Sequence, residues 1–276
     1  MNRILMASLG FWIVSSLSSV WLNAQTIDPG NRIQIVVRAR VSRDSAHRLM
    51  YSYSVNSLPQ SQQTVQEFRI IFRPSNDSIS QGRTALGWDS PGIPSGMGDP
   101  FNYIIWWAPI PNQIQHGDST NGFSYTTTQL PGICEYFAEG NHALPWFPEG
   151  MAEDSIPGYD DLTPYGPGIV GKTVGAVKTL STVGLLSLLD SLNSYIRQAR
   201  SFRWIVNQPT SDKYTNYLST VRAHLQAGEN GYAIRTLQHV LKSADSDSSS
   251  VLASEAYALI RYNTEYLVSN LKAIKR

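Results

Sequence analysis

The most chemically suggestive stretch of the sequence is GPGIVGKT, residues 166–173. It has the glycine, lysine and threonine spacing of a phosphate-binding loop. A working loop also follows a buried strand and opens directly into a helix, so that backbone N–H groups point at the phosphates. Here GYDDLTPY precedes the stretch, Pro167 removes an N–H donor, and Gly175 stands where the helix would begin. We therefore predict that the protein binds no nucleotide.

Carboxylates are concentrated in another stretch that is rich in proline and glycine. The set consists of Glu149, Glu153, Asp154, Asp160 and Asp161. Calcium takes about six to eight oxygen ligands, often from flexible loops, so these residues are candidate ligands of a structural calcium ion. Their spacing differs from the D-x-D-x-D-G loop, and cationic side chains elsewhere could neutralise them instead. The sequence leaves a calcium site and a solvated acidic linker as alternatives, and it predicts no other cofactor.

Charge is distributed unevenly along the chain. The formal net charge is +1, which argues against a nucleic-acid partner, because such proteins usually carry a clear basic excess. Residues 84–171 nevertheless contain ten acidic residues and no Lys or Arg. The Arg-rich strands before this segment are the simplest source of compensating charge, and a divalent cation is the alternative.

Tryptophan residues provide candidate positions for ligand binding. Trp106 and Trp107 are adjacent in a predicted strand, so their side chains should point to opposite faces. Trp146 lies in LPWFP, outside any strand pattern. Exposed aromatic rings can stack on sugars, so Trp107 and Trp146 are candidate ligand-binding residues for a glycan. The alternative is that these indoles seal the edge of the β-domain or pack against the second domain.

Catalytic motifs are weak in this sequence. It contains neither H-E-x-x-H nor G-x-S-x-G, the patterns of zinc peptidases and serine hydrolases. Cys134 and His142 are close enough in sequence to suggest a thiol dyad, but Cys134 lies in the apolar run GICEYF, where a lone cysteine is usually inert. The chain is therefore predicted not to be an enzyme. The alternative is a hydrolase that uses carboxylates of the acidic stretch.

The N-terminus has the organisation of a secretory signal peptide. Arg3 precedes an apolar run from Ile4 to Leu22, and Ala24 provides a small residue at the cleavage position. Residues 1–24 are therefore predicted to be a signal peptide, and the mature protein is expected to be secreted or periplasmic. A retained anchor is the alternative, because the run approaches the length of a membrane span. After cleavage, no membrane span is expected.

Hydrophobic periodicity divides the mature chain into two domains. Within residues 25–148, apolar and polar residues alternate, as in RIQIVVRARV from Arg32, and turn sequences separate the runs. This pattern predicts an immunoglobulin-like antiparallel β-sandwich. Residues 149–178 are predicted to be an acidic Pro/Gly linker, and residues 179–276 have helical periodicity. The expected fold class is all-β followed by all-α.

Four amphipathic helices are predicted in the C-terminal domain, where they would form a four-helix bundle. The first covers about residues 179–202, and Ser211 or Asp212 is expected to cap the second. Gly228 is expected just past the end of the second helix, and Asn230 is expected to cap the third. The serine- and aspartate-rich run after the third helix is expected to be a loop. Each helix has its own apolar stripe, so the bundle is expected to fold alone.

Residues 186–270 resemble the FIMAH module, a small helical domain found near the C-termini of exported bacterial proteins. The resemblance rests on LLDSLNSYIRQA, the aromatic turn FRWIVNQ, YLSTVRAHLQAGENGYAIRTLQHVLKSAD and ASEAYALIRYNTEYLVSNL. Such modules are regarded as non-catalytic appendages, which implies a surface or extracellular role. The first domain resembles secreted bacterial β-sandwiches through YSYSVNSLP and a W-x-P…GFSYTTTQLPG stretch.

The sequence thus predicts a non-catalytic, exported bacterial protein with a binding or structural role at the cell surface, in the periplasm or outside the cell. A carbohydrate-binding protein that uses exposed Trp and Tyr residues is the first alternative. A hydrolase is the second. The expected partner is a glycan or a cell-surface protein.

Overall fold

The structure is a computed structural model that describes residues 32–72, 79–89, 102–141, 168–177 and 184–274. The predicted signal peptide lies outside the described residues, as does most of the predicted acidic linker. Two antiparallel sheets occupy the first part of the chain, and four helices follow them. This order confirms the prediction of β-structure followed by α-structure.

The described residues form eight strands in two sheets of four. The strands are β1 (Ile35–Arg43), β2 (Leu49–Ser57), β3 (Val65–Phe72), β4 (Ile79–Arg83), β5 (Asn102–Trp107), β6 (Ser119–Thr127), β7 (Pro131–Gly140) and β8 (Ile169–Ala176). The first sheet has the strand order β1-β2-β6-β4, and the second has the order β5-β3-β7-β8. Every pairing between these strands is antiparallel.

The inner faces of the two sheets meet in an aromatic core. Phe68 of β3 stacks on Trp106 of β5 with ring centroids 5.6 Å apart. Phe68 also lies 5.4 Å from Phe123 of β6 and 5.9 Å from Tyr53 of β2. Because these rings come from both sheets, their contacts join the two layers into a sandwich. The period-two alternation of the sequence directs these residues inward and leaves the polar residues between them on the outer surface.

Strand β8 lies within the segment that the sequence assigned to the linker. It pairs with β7 along its length, from Ile169 opposite Ala138 to Ala176 opposite Pro131. The glycines that made this segment resemble a linker have a packing role. A Cβ on Gly175 would lie 2.6 Å from Sγ of Cys134, and a Cβ on Gly171 would collide with the ring of Tyr136. Glycine is therefore required for β8 to approach the side chains of β7.

The helices are α1 (Leu185–Ser201), α2 (Gln208–Gln226), α3 (Asn230–Asp247) and α4 (Ser254–Ile274). Asn207 caps α2, and its side chain accepts a hydrogen bond of 2.9 Å from the backbone N–H of Thr210. The predicted caps Ser211 and Asp212 instead lie inside this helix, because the helix begins at Gln208, with Pro209 in its first turn, ahead of the apolar stripe.

The turns between the helices agree with the sequence in one place and differ in two others. Gly228 has a φ of +73° just after α2, as expected for the residue that ends a helix. Asn230, the predicted cap of the third helix, is instead the first residue of α3, and Glu229 occupies the cap position. The serine- and aspartate-rich run was predicted as a loop, but its first residues, up to Asp247, continue α3. Consecutive helices contact one another, and α1 also contacts α4.

Helix α4 connects the helices to the sheets. The hydroxyl of Tyr262 donates a hydrogen bond of 3.0 Å to the carbonyl of Val41 in β1. The side-chain amide of Asn263 donates one of 2.9 Å to the carbonyl of Pro131 in β7. One continuous apolar core includes residues from the sheets and from all four helices. No helix among the described residues is both long enough and apolar enough to cross a membrane.

Candidate functional site

Of the site residues predicted from the sequence, the structure describes Trp107. Trp146 and the predicted calcium ligands Glu149, Glu153, Asp154, Asp160 and Asp161 lie outside the described residues. Within the described ranges, no group of three or more His, Cys, Asp or Glu residues is arranged to hold a metal ion. The candidate site is therefore built around Trp107.

Trp106 and Trp107 point to opposite faces of their sheet, as predicted. Trp106 is completely buried in the core, and its indole N–H donates a hydrogen bond of 3.0 Å to the carbonyl of Arg83. Trp107 is 43% exposed on the outer surface. Its backbone is held in place, because its carbonyl accepts a hydrogen bond of 2.8 Å from the N–H of Asp89. The indole of Trp107 is thus presented to solvent from a fixed backbone.

The neighbours of Trp107 follow from the strand register. We call the side of the sheet β5-β3-β7-β8 that faces away from the first sheet the outer face. Trp107 lies opposite Glu67 of β3, and Glu67 lies opposite Glu139 of β7. Since side chains alternate along each strand, these three residues project from the same side of the sheet. The outer face therefore has an exposed indole beside the buried carboxylate of Glu67 and the half-buried one of Glu139.

Arg69 occupies the centre of the outer face. Its guanidinium carbon lies 5.1 Å from the ring centroid of Tyr103 on β5 and 4.8 Å from that of Phe137 on β7. Its Nε also forms an ion pair and hydrogen bond with Oε1 of Glu67. Cation–π contacts and an ion pair therefore restrict the guanidinium from several directions. Arg69 is a rigid cation on the sheet rather than a flexible surface arginine.

The lysine of the phosphate-loop pattern also belongs to the outer face. Lys172 lies opposite Glu135 in the β7–β8 pairing, and its Nζ is 2.5 Å from Oε1 of Glu135. Thr173 is buried in the same strand. A phosphate-binding loop needs consecutive backbone N–H groups directed at one point, but the N–H groups of a strand alternate in direction. The extended backbone at Lys172 therefore differs from a phosphate-binding loop.

Cys134 lies on the inner side of the sheet. Burial raises the pKa of its thiol well above the usual range, and the nearby carboxylate of Glu135 raises it further. Because the thiolate is the nucleophile, this environment keeps the sulfur unreactive. His142, the proposed partner in a dyad, lies outside the described residues. The buried thiol agrees with the interpretation of Cys134 as a small core residue.

The sequence did not identify Arg69, Tyr103 and Phe137 as neighbours. The alternation of side-chain direction along each strand places all three residues on the outer face. The pairing of β3 with both β5 and β7 then brings them together. Such cross-strand contacts depend on register, which a single sequence does not specify. The signal present in the sequence is the charged pair Glu67 and Arg69 in a strand whose other residues, apart from Gln66, are apolar.

No protein-family model matches this chain, and no curated protein matches it. Among solved structures, a cohesin module from a family 33 glycoside hydrolase of Clostridium perfringens ATCC13124 is similar over 38% of this chain and 80% of that module. The sequence identity is 13% and the TM-score is 0.23. A TM-score this low supports no conclusion about fold or function.

Proposed function

We propose that this chain is a non-catalytic, exported protein that binds a ligand at the cell surface, in the periplasm or outside the cell. The observation that carries this proposal is the 43% exposed indole of Trp107 on the outer face. An exposed tryptophan on a sheet leaves apolar surface in contact with water, which a bound ligand can cover. Tryptophan is also among the residues that contribute most binding energy at interfaces.

A glycan is the ligand class that the outer face favours. Sugar rings combine apolar faces with hydroxyl edges, and Trp107 offers an aromatic face to the former. Tyr103 lies on the same strand and side as Trp107, with its ring half-buried. The carboxylates and the guanidinium beside these rings can accept and donate hydrogen bonds to hydroxyl groups. A cell-surface protein is the alternative partner.

The fold that we propose for the β-region is a variant of the immunoglobulin-like sandwich. Support comes from the order of six strands: β1-β2-β6 and β3-β7-β8 correspond to the A-B-E and C-F-G arrangements of that fold. Strands β4 and β5 differ, because the chain visits the first sheet at β4 before it returns to the second at β5. For the helices we propose a four-helix bundle that resembles the FIMAH module, and the contact of α1 with α4 supports a closed arrangement.

Cosedimentation tests the proposed function. The purified mature protein is mixed with isolated bacterial cell envelopes and, separately, with insoluble cellulose, chitin and xylan. We expect binding to at least one of these materials, without release of reducing sugar ends. Trp107→Ala should weaken binding at least about tenfold, which corresponds to about 1.4 kcal/mol.

Val206→Ala is the matched control for Trp107→Ala. Val206 is 59% exposed and lies in the connection between α1 and α2, outside the sheet that carries Trp107. This variant should bind as the wild type does. Equal binding by Trp107→Ala and the wild type would contradict the assignment of Trp107 to the binding surface, and release of sugars would contradict the absence of catalysis.

A further inference from the structure

The first sheet carries positive charge without acidic residues of its own. Its strands β1, β2, β4 and β6 contain four arginines and no Asp, Glu or Lys. Arg43, at the end of β1, forms an ion pair with Glu265 of α4. The other three, Arg38, Arg40 and Arg83, are exposed, and their guanidinium groups form no hydrogen bond or ion pair with any described residue.

The strand register places these three arginines on one surface. Arg38 and Arg40 flank Ala39, which is buried towards the second sheet, so both arginines project to the opposite side. Arg83 lies opposite Ser124 of β6, whose neighbours along the strand are core aromatic residues. The side chain of Arg83 therefore also projects away from the second sheet. We call this side of the first sheet the arginine face.

Short hydroxyl side chains lie between the arginines. Arg40 of β1 pairs with Ser52 of β2. Ser52 pairs with Ser124 of β6, which pairs with Arg83 of β4. These residues form one row across the sheet, with a cation on each edge strand and two serines between them. Arg38 adds a third cation two residues along β1, about 7 Å from Arg40 between Cα atoms.

The carboxylates of the neighbouring helix already have partners. Helix α4 packs against β1, and Glu255 and Glu265 belong to this contact. Glu255 accepts a hydrogen bond from the N–H of Ala39, and Glu265 forms ion pairs with Arg43 and Arg261. The arginine face thus has an excess of positive charge over the described residues around it. Such an excess attracts anionic ligands and increases their rate of association.

Separate arginines on an open surface favour a ligand with repeated charges. A single ion pair in contact with water contributes little to affinity, because both charges are hydrated and screened. A chain that carries an anionic group on successive units can engage several arginines together, since binding of one group raises the effective concentration of the next. The guanidinium fork matches the oxygens of carboxylates and of tetrahedral anions such as sulfate.

The other side chains of the arginine face favour a polysaccharide over a nucleic acid or a membrane. Strands β2 and β6 present serine, threonine and asparagine there, and these side chains form hydrogen bonds with sugar hydroxyls. Within the four strands, no aromatic residue points to this side, whereas proteins that bind single-stranded nucleic acids stack bases on aromatic rings. Its apolar residues Val36 and Met50 are half-buried, which provides little surface for insertion into a bilayer.

We propose that the arginine face binds an anionic polysaccharide whose acidic groups are carboxylates or sulfates. Arg40 and Arg83 bind acidic groups at the two ends of the row, and Arg38 binds a further group along β1. Trp107 belongs to the other sheet and projects to the opposite side of the sandwich. The inference therefore goes beyond the proposed function and does not depend on it.

Calorimetric titration of the mature protein tests the ligand class. The probes are polygalacturonate, which carries carboxylates, and dextran sulfate, which carries sulfates. Dextran and monomeric galacturonate are controls for charge and for its repetition, and DNA oligonucleotides and phosphatidylglycerol vesicles represent the competing classes. We expect at least one anionic polysaccharide to bind at least about tenfold more tightly than each control and each competing class. Its affinity should fall at least about tenfold between about 0.05 M and 0.5 M salt, because the arginines are exposed.

Arg40→Gln tests the site. Glutamine removes the charge but keeps a polar side chain, so the affinity for the polysaccharide should fall at least about fivefold. The triple variant with Arg38→Gln, Arg40→Gln and Arg83→Gln should abolish measurable binding. Arg197→Gln, at an exposed position on α1, removes the same charge as Arg40→Gln and is its matched control. This control should bind within about twofold of the wild type.

The outcomes distinguish the occupants of the arginine face. No binding of either anionic polysaccharide, or equal binding of dextran or monomeric galacturonate, overturns the inference. Tighter binding of DNA or of vesicles overturns the assignment to a polysaccharide. Equal weakening by Arg40→Gln and Arg197→Gln overturns the site. Binding that appears only after Asp160→Ala with Asp161→Ala would assign the face to the acidic stretch of this chain instead.

Trp107→Ala separates this inference from the proposed function. It should leave the affinity for the anionic polysaccharide unchanged, because Trp107 lies on the other sheet. If Trp107→Ala weakens that binding as much as Arg40→Gln does, the arginine face is not a separate site. If Trp107→Ala changes binding to no material while Arg40→Gln still weakens it, the proposed role of Trp107 is wrong and this inference stands.

Discussion

The backbone N–H of Ala39 donates a hydrogen bond of 2.8 Å to Oε1 of Glu255, so that the first turn of α4 is joined to strand β1. Strand β1 forms the edge of its sheet, and an unpaired edge exposes backbone groups to other chains. Tyr262 bonds to the carbonyl of Val41, two residues along the same strand. Side chains of α4 thus take the place of a neighbouring strand along part of this edge.

Removal of the Glu255 carboxylate should destabilise the whole fold. Glu255 is only 1% exposed, so Glu255→Ala would leave the N–H of Ala39 buried without a partner. We expect the free energy of unfolding to fall by about 1–3 kcal/mol, as measured by urea denaturation. Glu255→Gln, which keeps an acceptor oxygen, should lose less.

Glu229→Ala is the control for this measurement. The side chain of Glu229 is 47% exposed and forms a hydrogen bond of 2.7 Å with Nδ1 of His224, so its loss should cost at most about 1 kcal/mol. If Glu255→Ala were as stable as this control, the contact between α4 and β1 would be incidental to folding.

The helical region should depend on the sheets for its stability. The sequence predicts that the bundle folds alone, but α4 buries both apolar and polar residues against β1 and β7. A fragment of residues 184–274 would expose this surface to water, at a cost of about 25 cal/mol for each Å² of apolar area. We expect its helical circular dichroism to melt at a lower temperature than that of the full mature chain. An equal melting temperature would restore the original prediction.

The sequence predicted those features that depend on local pattern. The alternation of apolar and polar residues identified the strand that carries Trp106 and Trp107, and helical periodicity identified all four helices. Strand β8 was missed because Gly171 and Gly175 resemble linker residues until the side chains of β7 are known. The cluster around Arg69 was missed for a related reason. Its contacts cross three strands, and register is a property of the whole sheet.

Asn207 should determine where helix α2 begins. Its side chain accepts a hydrogen bond from the N–H of Thr210, which otherwise has no partner in the first turn. We expect Asn207→Ala to lower the free energy of unfolding by about 1 kcal/mol. Asp212 is one of the two caps predicted from the sequence and lies at an exposed position inside the helix, so Asp212→Ala should cost less than about 0.5 kcal/mol. A larger effect at Asp212 than at Asn207 would contradict this assignment.

The calcium hypothesis for the acidic stretch remains a prediction from the sequence. If the carboxylates bind calcium, about 1–10 mM calcium should raise the melting temperature of the mature protein by mass action. The double variant Asp160→Ala and Asp161→Ala should abolish this increase. Magnesium at the same concentration is the control for general ionic screening, because it tolerates such irregular oxygen sites poorly. Identical melting curves in calcium and in EDTA would identify a solvated acidic linker.

Alkaline pH should destabilise the protein through its buried tyrosines. Burial raises the pKa of Tyr51, Tyr53 and Tyr125 well above the ordinary value of 10.0, and their proximity to one another and to Cys134 contributes further. The folded state therefore keeps these protons after the unfolded state has released them. Their contribution to stability is complete below about pH 10 and decreases as the pH rises above it, by about 1.4 kcal/mol per pH unit for each tyrosine.

Tyr53→Phe isolates one of these tyrosines. The hydroxyl of Tyr53 donates a hydrogen bond of 2.9 Å to the carbonyl of Val174, so the variant should lose about 1 kcal/mol of stability at pH 7. Above pH 10, however, its stability should fall less steeply than that of the wild type, because one fewer group titrates on unfolding. Urea denaturation between pH 8 and about pH 11 measures both effects. Tyr232→Phe, at a 54% exposed ring on α3, is the control and should leave the curve unchanged. Parallel curves for Tyr53→Phe and the wild type would show that proton release from this buried hydroxyl does not limit stability at alkaline pH.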